Sequence, residues 1–191
     1  MIKTCLYLLS LGLLVQSCFP SVEQENPASE DQPSFFDLSD YMESEMERLQ
    51  SQQPAVIKRV GLRGEEQVES LDSLNYRQEL KPFADSDINR PAWYDKYDAD
   101  TIRAESGDTY TVTYTCREDH LRVRELSVTF QSGSDQVLGL RLSKKTDSLV
   151  EELKQELSYK PGEGYRMISE QHPLLGEGHR AEVEVRWAQK K

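Results

Sequence analysis

A chain of 191 residues with a formal net charge of −11 is long enough for one ordinary domain and short for two. The acidic balance excludes a nucleic-acid partner, because phosphate binding depends on clustered Lys and Arg and no run here is basic. Nine Tyr, five Phe and two Trp are too many for a disordered chain, so the bulk is globular. The acidity is uneven: Phe19 to Leu49 holds Glu23, Glu25, Glu30, Asp31, Asp37, Asp40, Glu43, Glu45 and Glu47 against Arg48 alone, which assigns it to a solvated tether and a first helix.

At the N-terminus, Met1-Ile2-Lys3 supplies a short positive stretch and Cys5 to Val15 is an apolar run of eleven residues. Val15-Gln16-Ser17 then sets a small residue before Cys18. This is the anatomy of an export signal. A spanning helix needs about 20 apolar residues, and Gln16, Ser17 and the acids beyond Pro20 end the run too early. Leu14-Val15-Gln16-Ser17-Cys18 resembles a bacterial lipobox, with Gln16 a departure from the usual small or aliphatic residue. The resemblance implies cleavage between Ser17 and Cys18, and a thioether-linked diacylglycerol plus an N-acyl chain on Cys18. Ordinary secretory cleavage at the same bond is the alternative. Phe19 is not the aspartate that retains some lipoproteins at the inner membrane, so the expected location is the outer membrane, with the periplasmic or surface face open. The domain organisation expected is a signal peptide over 1–17, a lipidated cysteine and acidic tether over 18–33, and one domain over 34–191. Three prolines and little apolar content in Phe19 to Pro33 define that tether.

In the domain, Ser34 can cap a helix running to about Gln52, with Phe35, Leu38, Met42, Met46 and Leu49 along one stripe. Ala55 to Leu62 and Glu65 to Leu71 read as a hairpin around Arg63-Gly64, the second strand unusually acidic. Asp72 or Ser73 can cap a second helix through Tyr76, Leu80 and Phe83. From about Ala99 the period is two. Thr109 to Cys116, Arg122 to Gln131, Gln136 to Ser143, Tyr165 to Gln171 and Ala181 to Trp187 are amphipathic strands, with Leu138, Leu140 and Leu142 sharing one face of the third. With Cys5 lost and Cys18 lipidated, Cys116 remains alone. It shares a face with Tyr110, Val112 and Tyr114 and reads as a small buried hydrophobe. Ser148 to Leu157 is ambiguous: Leu149, Val150, Leu153 and Leu157 with a Ser148…Glu151 capping pair favour a helix, while Leu149, Leu153, Leu157 and Tyr159 also share one face of a strand.

The stretches Glu79-Leu80-Lys81-Pro82-Phe83, Asp87-Ile88-Asn89-Arg90-Pro91-Ala92-Trp93 and Tyr97 resemble a pattern in uncharacterised lipoproteins of Bacteroidetes-type bacteria. Phe36-Asp37-Leu38…Tyr41 and Leu157-Ser158-Tyr159-Lys160-Pro161…Gly164-Tyr165…Gln171 fit it too. The resemblance covers most of the mature chain and implies location and fold, not chemistry. It also implies a strand over Ser148 to Leu157.

Chemistry-bearing patterns are few. Asp85-Ser86-Asp87-Ile88-Asn89-Arg90 begins like a calcium loop, but its sixth and twelfth positions are Arg90 and Lys96 where Gly and a bidentate Glu are needed, so capping and turn bonds are expected instead. His120, His172 and His179 show no metal spacing. No nucleophile elbow, P-loop or dinucleotide fingerprint occurs, and neither cofactor nor metal is expected. Trp93, Tyr94 and Tyr97 form an aromatic stretch beside Pro91, read either as loop staples or as a ligand or partner patch.

These readings combine into an expected α+β fold, in which two N-terminal helices and a β-hairpin pack with a C-terminal antiparallel meander. Its expected role is that of a membrane-anchored envelope lipoprotein. Such a protein would act as a binding or scaffold module for an envelope protein or hydrophobic ligand, with an envelope hydrolase of unfamiliar type as the alternative. Replacing Cys18 with Ser should remove the site for thioether lipid and leave an uncleaved precursor or a soluble product. Mass spectrometry of the membrane fraction should find an N-terminal peptide beginning at lipid-modified Cys18; an unmodified thiol in a soluble product would refute the anchor.

Overall fold

Apolar residues at helical spacing dictate the first element. In the computed structural model, which describes residues 35–188, helix α1 (Leu38–Gln52) buries Leu38, Met42, Met46 and Leu49. Asp37 caps it, accepting from the Asp40 amide at 2.9 Å; the expected cap, Ser34, lies outside the described residues. Asp37 serves because its short carboxylate reaches an otherwise orphaned donor of the first turn. Strands β1 (Val56–Leu62) and β2 (Glu65–Leu71) form the hairpin. Helix α2 (Tyr76–Ala84) follows, burying Tyr76, Leu80 and Phe83. Its cap is Asn75, accepting from the Gln78 amide at 3.2 Å, not Asp72 or Ser73, which fall too far upstream to reach the first turn. After a 3-10 turn (Pro91–Trp93) come β3 (Tyr97–Arg103), β4 (Thr109–Cys116), β5 (Val123–Gln131), β6 (Val137–Asp147), β7 (Glu151–Lys160), β8 (Gly164–Pro173) and β9 (His179–Trp187).

The expected α+β arrangement is overturned. Of the described residues 51% are strand and 18% helical, and all nine strands belong to one antiparallel sheet in the order β2-β1-β9-β8-β7-β6-β5-β4-β3. The hairpin does not pack beside a separate meander. Strand β1 pairs with β9 over seven positions, from Val56↔Trp187 to Leu62↔Ala181, so the hairpin extends the sheet. The physical reason is that β9 would otherwise end the meander with an open row of amide and carbonyl groups, and β1 satisfies them. The acidity of β2 then has a place: as an edge strand carrying Glu65, Glu66 and Glu69, it resists further pairing.

Segment Ser148 to Leu157 is mainly strand. Leu157 and Tyr159 are buried in β7, between β6 and β8. A helix here would have buried Leu149 and Val150, which instead form the β6–β7 turn. The Ser148…Glu151 pair is used to close that turn: Ser148 Oγ accepts from the Val150 and Glu151 amides at 3.3 and 3.1 Å. Register also departs from simple alternation in β6. An irregularity pairs Phe130 with Val137 and Thr129 with Gly139, so the buried place at that end goes to Val137 and not to Leu138.

Both helices cover the same face. Its central rows run Tyr114, Leu126, Leu142, Leu157 and Val112, Val128, Leu140, Tyr159, Tyr165, Val185 in cross-strand register. The other face has no second layer among the described residues, an arrangement antiparallel sheets tolerate when that face is polar. No helix among those residues is long and apolar enough to cross a membrane.

Gly164 opens β8 at φ +142°, and a Cβ there would lie 1.9 Å from the Val185 carbonyl oxygen. Gly164→Ala should therefore force β8 away from β9 and cost about 2–4 kcal/mol. Urea unfolding checks this; a loss below about 1 kcal/mol would show that the strand pair yields easily.

Candidate functional site

Three groups of side chains could carry function: a polar network between helices and sheet, the aromatic stretch at Trp93 to Tyr97, and the uncovered sheet face. The network begins with Tyr159 and Tyr165, which are directly opposite each other on β7 and β8. Tyr159 donates to Glu45 of α1, and Tyr165 donates to Glu79 of α2. Glu45 also accepts from Arg48 at 2.9 and 2.7 Å, and Glu79 accepts from Lys58 of β1 at 2.6 Å. Burial, and then the bond to Glu45, push the Tyr159 hydroxyl well above its ordinary range; Tyr165 is raised by burial and by Glu79. Burial alone would raise Glu45, but the hydrogen bonds from Arg48 and Tyr159 outweigh it and hold the carboxyl below its ordinary value. Each carboxylate is thus engaged by a cation and a phenol, an arrangement suited to fixing a helix on a sheet rather than to moving protons at neutral pH.

The aromatic stretch is divided between core and surface. Tyr97 is buried, donating to the Val123 carbonyl at 2.9 Å. Tyr94 meets Phe35 edge-on at 5.2 Å and donates to Asn89 Oδ1 at 3.2 Å. Trp93 is half-buried, with the Arg90 guanidinium 4.5 Å over its ring. The structure therefore does not gather the three into one exposed cluster. Of the calcium-like segment, Asp87 Oδ1 accepts from the Leu38 amide and Asn89 Oδ1 from the Phe35 amide, both at 3.1 Å. The first supports the start of α1 and the second holds the residue that leads into it, both between distant segments and not within a local turn.

The remaining sequence candidates are dispersed. Cys116 is half-buried with its thiol donating to the Glu118 carbonyl at 3.2 Å. The described residues contain no group of three or more His, Cys, Asp or Glu able to hold a metal ion. Ser17 and Cys18 lie outside the described residues. Lys144, which no sequence pattern singles out, is half-buried on the core-facing side of β6 after Leu142, where burial lowers its ammonium against the pull of Asp85, and the Arg122 charge lowers it further.

The uncovered face consists of ordered cross-strand rows. One runs Thr113, Ser127, Arg141, Ser158, Arg166, Glu184 and Arg59; its neighbour runs Thr115, Glu125, Ser143, Glu156, Ile168 and Glu182. Thr113 and Ser127 hydroxyls bond at 3.0 Å, and Arg166 donates to Glu182 at 2.8 Å. A shallow depression of about 400 Å³ lies between the rows, and another of about 570 Å³ lies on the far side of the first row, toward Thr111, Thr129 and Gly139; both are bordered by Glu125, Arg141 and Ser158.

No protein-family model, curated protein or solved structure matches the chain.

The tyrosine–glutamate network makes stability depend on pH in two directions. Raised tyrosines contribute stability that is complete below their ordinary 10.0 and drains as pH climbs through it toward the folded values. Lowered Glu45 contributes stability that is complete above its ordinary 4.5 and is lost as pH falls toward its folded value. Tyr159→Phe should cost about 1–3 kcal/mol at neutral pH and flatten the alkaline limb. Urea unfolding at neutral pH and above pH 10.0 measures both; an unchanged alkaline limb would mean that Tyr159 is not the titrating group.

Proposed function

We infer that this chain is an outer-membrane lipoprotein, held by lipid on Cys18, that serves as a binding or scaffold module by presenting the uncovered sheet face to a polar partner in the cell envelope. The signal-like N-terminus, the lipobox-like Leu14 to Cys18 and the resemblance to Bacteroidetes-type lipoproteins support the location. The observation that carries the binding role is the face itself: a broad surface across nine strands, with one face covered by helices and the other formed by rows of Arg, Glu, Ser and Thr.

Such rows suit a protein or other polar surface better than a hydrophobic ligand. Apolar ligands are bound in enclosed, apolar-lined clefts, whereas alternating charges set register and reject mismatched partners. The sheet is a rigid platform on which side-chain spacing is fixed by strand pairing, about 4.8 Å from one strand to the next. A partner must match that spacing.

A photo-crosslinking residue in place of Ser143 in the full lipidated chain should capture a discrete envelope component in living cells. Arg141→Glu with Arg166→Glu should lower that capture about tenfold while leaving the circular dichroism spectrum unchanged. Failure to capture any discrete component, or capture indifferent to the double reversal, would reject this face as the binding surface.

A further inference from the structure

Two neighbouring hairpin tips expose aliphatic side chains at one end of the sheet. The β6–β7 turn carries Leu149 and Val150, 94% and 68% exposed, and the β8–β9 turn carries Leu174 and Leu175, 76% and 88% exposed. The turns are joined, because the Leu174 amide donates to the Val150 carbonyl at 2.8 Å. We propose that this joined tip is a membrane-docking element that inserts its aliphatic side chains into the surface of a lipid bilayer. The proposal rests on the anchored reading above for bringing a bilayer within reach.

Three features favour lipid as the occupant. The tip is a protrusion, not a groove, and its four large side chains are purely aliphatic, so hydrocarbon can surround them without a matching pocket. The backbone of the β6–β7 turn is largely self-satisfied: the Ser148 amide donates to the Glu151 carbonyl at 2.9 Å and Ser148 Oγ takes the Val150 and Glu151 amides, while in the β8–β9 turn the Leu174 amide is used between the turns. A wet protein interface does not demand that, whereas lipid does, because an unsatisfied amide in hydrocarbon is costly. Finally, Asp147 and Glu152 beside the tip are paired with a base, Lys145, at 3.3 and 2.7 Å, while Glu151 accepts from the neutral Gln171 and Glu177 makes no ion pair among the described residues.

Chain length permits the tip and the lipid anchor to share one bilayer. Residues 18 to 34 can span at most about 60 Å when extended, whereas the longest strand, β6 with 11 residues, covers about 37 Å. The anchor would keep the protein at the membrane, and the tip would set which way the sheet faces. An aliphatic tip of this size adds weak, reversible affinity, of the kind that orients a protein already tethered.

The test uses the full chain carrying lipid on Cys18, reconstituted into vesicles of phosphatidylethanolamine and phosphatidylglycerol with or without bromine on the acyl chains. Leu175→Trp is read against Ile102→Trp, an exposed aliphatic position on edge strand β3. The Leu175→Trp fluorescence should shift to the blue and fall about twofold with brominated lipid, while Ile102→Trp gives only the background of Trp93 and Trp187. Equal, unquenched emission from both variants would overturn the proposal. The mass at Cys18 is measured on the same preparation, so an unmodified thiol reports failure of the anchor separately. In that case the free chain is added to the same vesicles, and quenching of Leu175→Trp still supports the tip while its absence overturns it. Leu174→Ser with Leu175→Ser should lower vesicle binding by the soluble, signal-free product of the Cys18→Ser chain about tenfold; undiminished binding overturns the proposal. So would tip-dependent self-association in sedimentation without vesicles, which would assign the patch to a second copy.

Discussion

The structure depends on a pair of tyrosines facing each other across two central strands. Tyr159 and Tyr165 are both buried, and each sends its hydroxyl to a glutamate on a different helix. Buried phenols must find acceptors, and the half-buried carboxylates gain donors. Meeting both needs at one cross-strand position fixes α1 and α2 on the same side of the sheet. Phe83 then fits edge-on between the two rings, at 6.0 and 6.1 Å, and Trp187 meets both Tyr165 and Tyr76. The polar pins select the position and the aromatic packing fills it.

A second clamp fixes where the domain begins. Asp87 and Asn89, in the loop after α2, accept the Leu38 and Phe35 amides and so hold the entry to α1 against that loop. Phe35 is enclosed by Tyr94, Tyr97 and Tyr114. The Asp-Ile-Asn sequence that suggested oxygen ligands is thus used on backbone amides, with Ile88 between them fully buried. This gives the motif a structural purpose.

With both helices committed to one face, the polarity of the chain is partitioned. Charged and hydroxyl side chains predominate on the uncovered face, and Leu149, Val150, Leu174 and Leu175 are exposed at the hairpin tips, besides aliphatic side chains exposed on β1, β2 and β3. The two surfaces differ in chemistry and position, so they suit different occupants. A strand-built platform supplies both, since β6 and β7 run from the middle of the polar rows to the apolar turn.

The sequence by itself determined most local structure: the apolar stripe of α1, the Arg63-Gly64 hairpin, and strands such as Thr109 to Cys116, whose alternation encodes which side faces the core. The signal-like N-terminus and lipobox-like Cys18 on which the proposed anchor rests are also readings of local sequence. Tertiary structure alone decided the rest. That β1 would pair with β9 could not be read from either segment, because strand pairing between distant segments is set by which edges remain unsatisfied. Ser148 to Leu157 carries a helix-compatible stripe, and the open edges of β6 and β8 make it a strand. Glu45 and Glu79 look like ordinary helix-surface acids among many, and only the placement of Tyr159 and Tyr165 beneath them gives them their role. The uncovered face was legible as polar strand positions but not as a surface, because a surface exists only once register has aligned residues far apart in the chain.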